Sequence, residues 1–166
     1  PPPPALSRDE AVLELTRRYF ATRGPATLTD FTWWSGLTVG DAKRGVSMLP
    51  EAFEHREMAG QRCVFLPQAL PIVPLTQATF LLPDYDEYGI AYKNREALFG
   101  DTHLVRAGNG TMPHVVVADG VVAGTWQRAD AGNCAQVKTM TFRPLDAELQ
   151  RALEAAVERY LRFFQG

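Results

Sequence analysis

Three helix-start signals crowd into the first 41 residues, and the hydrophobic period changes soon after them. Ser7-Arg8-Asp9-Glu10 places a hydroxyl three residues before a carboxylate, the reciprocal arrangement of a capping box. Beyond it Ala11, Val12, Leu15 and Tyr19 share one helical face, with Arg17 and Arg18 off that face. Gly24-Pro25 stops the helix. Thr27 and Asp30 repeat the cap for a second, shorter helix that runs through Phe31, Trp33 and Trp34 to Gly36. Thr38 and Asp41 repeat it again for a third helix, which must end by Pro50.

Only Ser35 to Thr38 separates helices two and three, with a glycine in the turn, and that is the spacing of a helix-turn-helix. Phe53–Met58 and Gln61–Leu66 then read as extended runs joined by Ala59-Gly60. Three helices followed by a hairpin is the order of a winged helix-turn-helix. A proline-rich connection over 67–77 marks a boundary. Beyond it lie an apolar strand (Ala78–Leu82), an acidic-aromatic stretch (Pro83–Tyr88) and a surface loop over 100–111. His114–Ala118 and Val121–Trp126 flank Asp119-Gly120, which suits a type I′ hairpin turn. A third strand, Cys134–Phe142, follows the Ala131-Gly132 turn. Asp146 caps a last helix with Leu149, Leu153, Ala156, Tyr160 and Phe164 as its apolar stripe. The expected class is α+β, a winged helix-turn-helix over 1–68 followed over 69–166 by a small antiparallel β-sheet or barrel closed by a C-terminal helix.

Charge narrows what such a chain can bind. The 166 residues carry 17 Lys+Arg and 19 Asp+Glu, and the balance is even along the chain, with eight of each over 1–66. That argues against a strongly basic, non-specific nucleic-acid binder, so any such site must gather a few cations on one face. Cys63 and Cys134 lack metal-ligand or disulfide-framework spacing and read as reduced, partly buried thiols. His55, His103 and His114 have no metal spacing either, and no metal or cofactor is expected. Apolar runs are too short for a membrane span and no signal peptide is seen, which suggests a cytoplasmic protein, on the nucleoid if bound to DNA. The Pro1–Pro4 opening without a Met suggests a piece of a longer protein.

On the third helix, stepping roughly 100° per residue from Val39 puts Val39, Ala42, Val46 and Leu49 around a buried face near 320°. Arg44 then points away, with Ser47 near it and Lys43 at the boundary. A helix in a major groove would present that face, Arg44 to guanine and Ser47 to a base edge or phosphate. His55, Arg56 and Arg62 sit on the expected wing, mixed with Glu54 and Glu57. The competing reading is a solvated face. Asp84, Asp86 and Glu87 form a carboxylate set that could do acid–base work, or could serve as a solvated loop or helix cap. Of Trp33 and Trp34, about 100° apart, one belongs in the core and the other to an interface or stacking role. No hydrolase triad, P-loop or dinucleotide fingerprint is present.

Arg18–Leu37, with its Gly-Pro-Ala-Thr and Asp-Phe-Thr-Trp-Trp-Ser-Gly-Leu runs, resembles the signature of the winged-helix DNA-binding family that includes the AlkZ/YcaQ-type DNA glycosylases. Leu81–Tyr88 is similar to that family's Leu-Leu-Pro…Asp-Glu-Tyr block, and Val117–Trp126 to its Asp-Gly…Gly-Thr-Trp strand pair. The resemblance implies tandem winged helices around a β-barrel that bind duplex DNA and, in the glycosylases, excision of bulky or crosslinked alkylpurines without a metal. It implies a catalytic Gln-hydrophobic-Gln or Gln-hydrophobic-Asp motif. Gln61, Gln68, Gln77, Gln127, Gln136 and Gln150 have no such partner two residues on. No catalytic residue carries over, and this stretch is not expected to be an enzyme by itself. The expected partners are duplex DNA, through Lys43, Arg44, Ser47, Arg56 and Arg62, and an N-terminal region of the same protein. The alternative is a protein-interaction or transcription-related winged-helix module.

Overall fold

A computed structural model describes residues 5–67, 78–99, 113–131 and 134–165. The Pro1–Pro4 opening, the connection over 68–77, the loop over 100–111 with His103, and Gly132 lie outside the described residues, as do the side chains of Cys134 and Phe164. The chain divides into two units, one within 1–72 plus 90–94, the other within 73–89 plus 95–166.

The first unit begins with α1 (Arg8–Arg23). Ser7 Oγ accepts from the Glu10 amide while Glu10 Oε2 accepts from Ser7 N at 2.8 Å, closing the capping box. Val12, Thr16, Tyr19 and Phe20 are its buried face. Thr16 was not legible as core. It is admitted because its hydroxyl donates to Val12 O, leaving its methyl to pack. β1 (Ala26–Thr27) leads into α2 (Leu28–Ser35), capped by the Thr27–Asp30 box, and Gly36 ends α2 in the left-handed region. α3 (Val39–Ser47) follows after Thr38. The antiparallel hairpin of β2 (Glu54–Met58) and β3 (Gln61–Phe65) turns on Ala59 and Gly60, both at positive φ, and β1 adds to the other side of β3. Tyr19, Phe20, Phe31, Ala42, Phe53 and Val64 form the core, with Trp34 packed against it.

Carboxylates hold the surface of α1 and its neighbour in place. The guanidinium groups of Arg17 and Arg18 hold the Glu14 carboxyl at about 2, against 4.5 for a free glutamate. Glu10 is lowered by Ser7, Asp9 by Arg44, and Asp41 by Thr38 and then Arg8. A depressed pKa adds stability above the unfolded value that is lost as pH falls through the folded one. The melting temperature should therefore decline modestly as pH drops from about 4.5 to about 2, because these groups are exposed. Thermal melts by circular dichroism check this, and a flat profile across that window would contradict it.

In the second unit β4 (Thr79–Leu82), β5 (Val115–Ala118), β6 (Val121–Ala131) and β7 (Cys134–Thr141) form one antiparallel sheet in sequential order. This sheet is open, not a barrel. β4 and β7 each have a single neighbour among the described strands, and four strands are too few to close around filled side chains. Asp119 and Gly120 both take positive φ at the β5–β6 turn. Two one-turn helices, α4 (Glu87–Ile90) and α5 (Glu96–Phe99), lie between β4 and β5 in sequence. α6 (Ala147–Gln165) is capped by Asp146 Oδ1, which accepts from the Glu148 and Leu149 amides. Its Leu149, Leu153 and Ala156 are buried, Leu149 beside Ala118 and Ala123, Leu153 beside Val116 and Trp126.

Candidate nucleic-acid interface

α3 sits in the first unit with a different roll from the one its apolar pattern suggests. Val39 is 55% exposed, while Gly45 is buried against α1, where an added Cβ would fall 2.1 Å from Thr16 Oγ1. The small residues Ala42 and Gly45 let the two helices approach, so closeness of backbone decides the face and outvotes the β-branched Val39. On the same angular scale the buried face centres near roughly 270°, and the outward face near roughly 90°. Gly40, Lys43 and Ser47 now occupy the middle of the outward face. Arg44 and Asp41 move to the flank nearest α1.

Each expected contact residue has a definite environment. Lys43 is exposed and has no ion-pair partner among the described residues. Arg44 is engaged: its Nε donates to Asp9 Oδ1 at 2.7 Å and its Nη2 to Asp9 Oδ2, a side-on fork that lowers the Asp9 pKa and raises that of Arg44. Arg8 Nη2 donates to both oxygens of Asp41 at 3.0 Å. Ser47 Oγ donates to Arg44 O at 2.8 Å, so its proton is committed while its lone pairs remain able to accept. On the hairpin Arg56 donates to Glu54 at 2.7 Å and lies 5.3 Å over the Phe65 ring. Arg62 faces Glu57 across the ladder and has no ion-pair partner among the described residues. The fold thus brings Lys43 and Ser47 together on α3, while the hairpin register, Arg56 opposite Cys63 and Arg62 opposite Glu57, puts Arg56 and Arg62 on opposite faces of the hairpin. It turns Arg44 toward Asp9.

The residues that sequence reasoning missed are Arg8, Asp9 and Asp41 in this role. Their pairing does not read from the sequence, because the α1–α3 contact that makes it is tertiary. Asp30 was read only as a cap. It is buried, accepts from Thr27 N at 2.9 Å and Thr27 Oγ1 at 2.6 Å, and with its other oxygen accepts from Lys93 N at 2.9 Å. Burial, and then the charge of Asp30, push the buried Cys63 thiol up, so it is not a reactive thiolate. Trp34 packs 5.1 Å from Tyr19 under the Arg23 guanidinium, and Trp33 is 52% exposed.

In the second unit the acidic stretch is drawn into structural work. Asp84 Oδ1 lies 3.2 Å from His114 Nε2, and the His114 ring stacks at 4.6 Å on Trp126. Trp126 Nε1 donates to Leu82 O. Asp86 Oδ1 accepts from Tyr88 N, and Tyr88 OH donates to Gly120 O, its phenol pushed up by burial. The register Leu82↔Val115 explains the His114–Asp84 meeting, since both lie just beyond that pair. Among the described residues no group of three or more His, Cys, Asp or Glu side chains could hold a metal ion. Among them, too, no helix is long and apolar enough to cross a membrane.

Residues 1–163 match the sequence model of the family described as "DNA glycosylase AlkZ-like". The chain belongs to that AlkZ-like family. Its fold is similar to that of the Streptomyces sahachiroi DNA glycosylase AlkZ, with a TM-score of 0.74 at 21% identity. The match takes in 92% of this AlkZ-like chain and 43% of that protein's chain, so this chain spans less than half the length of that relative. No curated protein matches the AlkZ-like chain.

Proposed function

We propose that this chain is a DNA-contacting scaffold part of an AlkZ-type glycosylase acting on bulky or crosslinked alkylpurines, with catalysis supplied by residues outside it. In this reading residues 1–68, joined by Ile90–Asn94, form a winged helix in which α3 is the recognition helix and β2–β3 the wing. The observation that carries it is the pairing of family membership with an outward α3 face of Gly40, Lys43 and Ser47, open to solvent and beside no paired carboxylate of its own. A glycine at the centre of that face lets a sugar-phosphate backbone come close. Lys43 supplies a point charge to phosphate, Ser47 accepts from a base amino group, and Arg56 and Arg62 anchor the wing on phosphate. Duplex DNA and the remaining part of a longer protein are its partners, and the nucleoid is where it works.

Lys43→Ala and Arg62→Ala should each weaken binding to a labelled duplex about equally across sequences and reduce the salt slope by about 1. Fluorescence anisotropy at several salt concentrations measures this, with melting temperatures as the folding control. Unchanged affinity and slope in both variants would remove these residues from the interface.

A second reading, an interaction module, draws on two observations. The α3 flank is already satisfied by Asp9 and Arg8, and an open groove beside α1 is lined by Leu6, Leu13 and Pro50 together with the charged Glu10, Glu14, Arg17 and Arg18. Capture of a protein partner that survives high salt, together with absent duplex binding, would favour it.

A further inference from the structure

Arg44 presents to Asp9 the same two nitrogens, Nε and one Nη, that an arginine turns toward a phosphate or toward guanine O6 and N7. The carboxylate of Asp9 therefore occupies the position that a nucleic-acid acceptor would take. Both side chains are open to water, Arg44 59% and Asp9 49% exposed, so the pair is exchangeable and not a buried strut. The charged groups around it are Arg8 and Asp9 on α1 and Asp41, Lys43 and Arg44 on α3. Arg8 is held by Asp41 through both carboxylate oxygens, and although Arg8 also acts on Asp9 and Asp41 on Arg44 through space, Asp9 is the carboxylate hydrogen-bonded to the Arg44 fork.

We infer that Asp9 acts as an internal phosphate mimic that sets the DNA affinity of α3 by occupying the Arg44 fork. The inference rests on the DNA-contact reading given above. When Arg44 moves to a phosphate, that phosphate releases a condensed counterion, but the Asp9 carboxylate left behind takes up a cation from solution. The two events offset each other, so Arg44 adds almost nothing to the salt slope of the native chain. With Asp9 replaced by the isosteric, uncharged asparagine, the release is no longer offset, and Arg44 contributes a full phosphate contact of about 0.9 to the slope. Asp9 also repels any phosphate approaching that flank, so its removal raises affinity as well. Asp9 thus limits non-specific binding and leaves recognition to Lys43, Ser47 and the wing.

The test compares the native chain, Asp9→Asn, Glu51→Gln and Arg44→Ala on one labelled duplex across a salt series. Glu51→Gln makes the same change of charge elsewhere on the first unit, on an exposed residue. Asp9→Asn should bind more tightly, with a slope steeper by about 0.9, so that its advantage over the native chain shrinks about 3.5-fold between 50 and 200 mM salt. Glu51→Gln should leave the slope unchanged, and Asp9→Asn placed in the Arg44→Ala background should no longer steepen it. Salt-dependent binding that appears only in Asp9→Asn would also support the inference. If the native chain binds with a steep slope and Asp9→Asn matches it, or if Glu51→Gln steepens the slope equally, Asp9 is not the mimic, while the DNA-contact reading stands. If neither the native chain nor Asp9→Asn binds at 50 mM salt, both fail.

Discussion

Gly124→Ala should destabilise the second unit by about 3 kcal/mol, at the upper end of the usual penalty for overpacking. Gly124 lies in β6 between two neighbours, opposite Val116 on β5 and Thr141 on β7. The register shifts between Val116 and Val117, and Ala123, left out of the β5 pairing, has its carbonyl turned to Phe142 N at 2.8 Å. That bulge draws β7 close. A Cβ on Gly124 would fall 2.3 Å from Met140 O and 2.9 Å from Thr141 Cα. Both are backbone atoms of the adjacent strand, so no rotamer change relieves the clash and the ladder itself must open. The melting temperature should fall by about 10 °C. Gly40→Ala is the comparison, because a Cβ there meets only Thr38 Oγ1 at 3.8 Å. It should be neutral or slightly stabilising by helix propensity. Equal melting temperatures for the two variants would contradict the close approach of β6 and β7.

Asp30→Ala should cost the first unit a similar amount, about 3 kcal/mol, by a different route. Loss of the α2 cap accounts for about 1 kcal/mol of it, as for other caps. The rest comes from stranding the Lys93 amide, which now donates to Asp30 Oδ1. Asp30→Asn keeps one acceptor and should fall between alanine and the native chain. The side-chain hydrogen bonds of Tyr19 to Ala91 O and of Tyr92 to Arg23 O remain in both variants. Hydrogen exchange should therefore show faster exchange at the Lys93 amide and at the start of α2, with the α1 core unchanged. A denaturation midpoint for Asp30→Ala equal to that of the native chain would remove Asp30 from this role.

What the sequence revealed is the part of the fold written in local signals. The capping boxes at Ser7–Glu10 and Thr27–Asp30 and the paired turns at Ala59-Gly60 and Asp119-Gly120 act over two to four residues, so they read directly. The roll of α3 did not read, because Val39 looks like core and Gly45 does not, and only the approach of α1 decides between them. The return of Ile90–Asn94 to the first unit was hidden for the same reason, since Asp30 and Lys93 are 63 residues apart. The length of β6 exceeded the Val121–Trp126 expectation because polar residues past Trp126 pair with β7. At the candidate interface the residue types were legible but their pairing was not. Arg44 stood out as the most exposed cation of the third helix, and the carboxylate that occupies it lies 35 residues earlier.

The central claim is that α3 and the β2–β3 hairpin meet duplex DNA through a small set of cations, and the salt dependence of duplex binding tests it most directly. With Lys43 and Arg62 each neutralising one phosphate, Arg44 offset by Asp9 and Arg56 by Glu54, the logarithm of affinity should fall with that of salt with a slope of about −1.8, or about 12-fold between 50 and 200 mM. A slope near zero, or no measurable binding at 50 mM either by this chain or by a longer family protein containing it, would contradict the account.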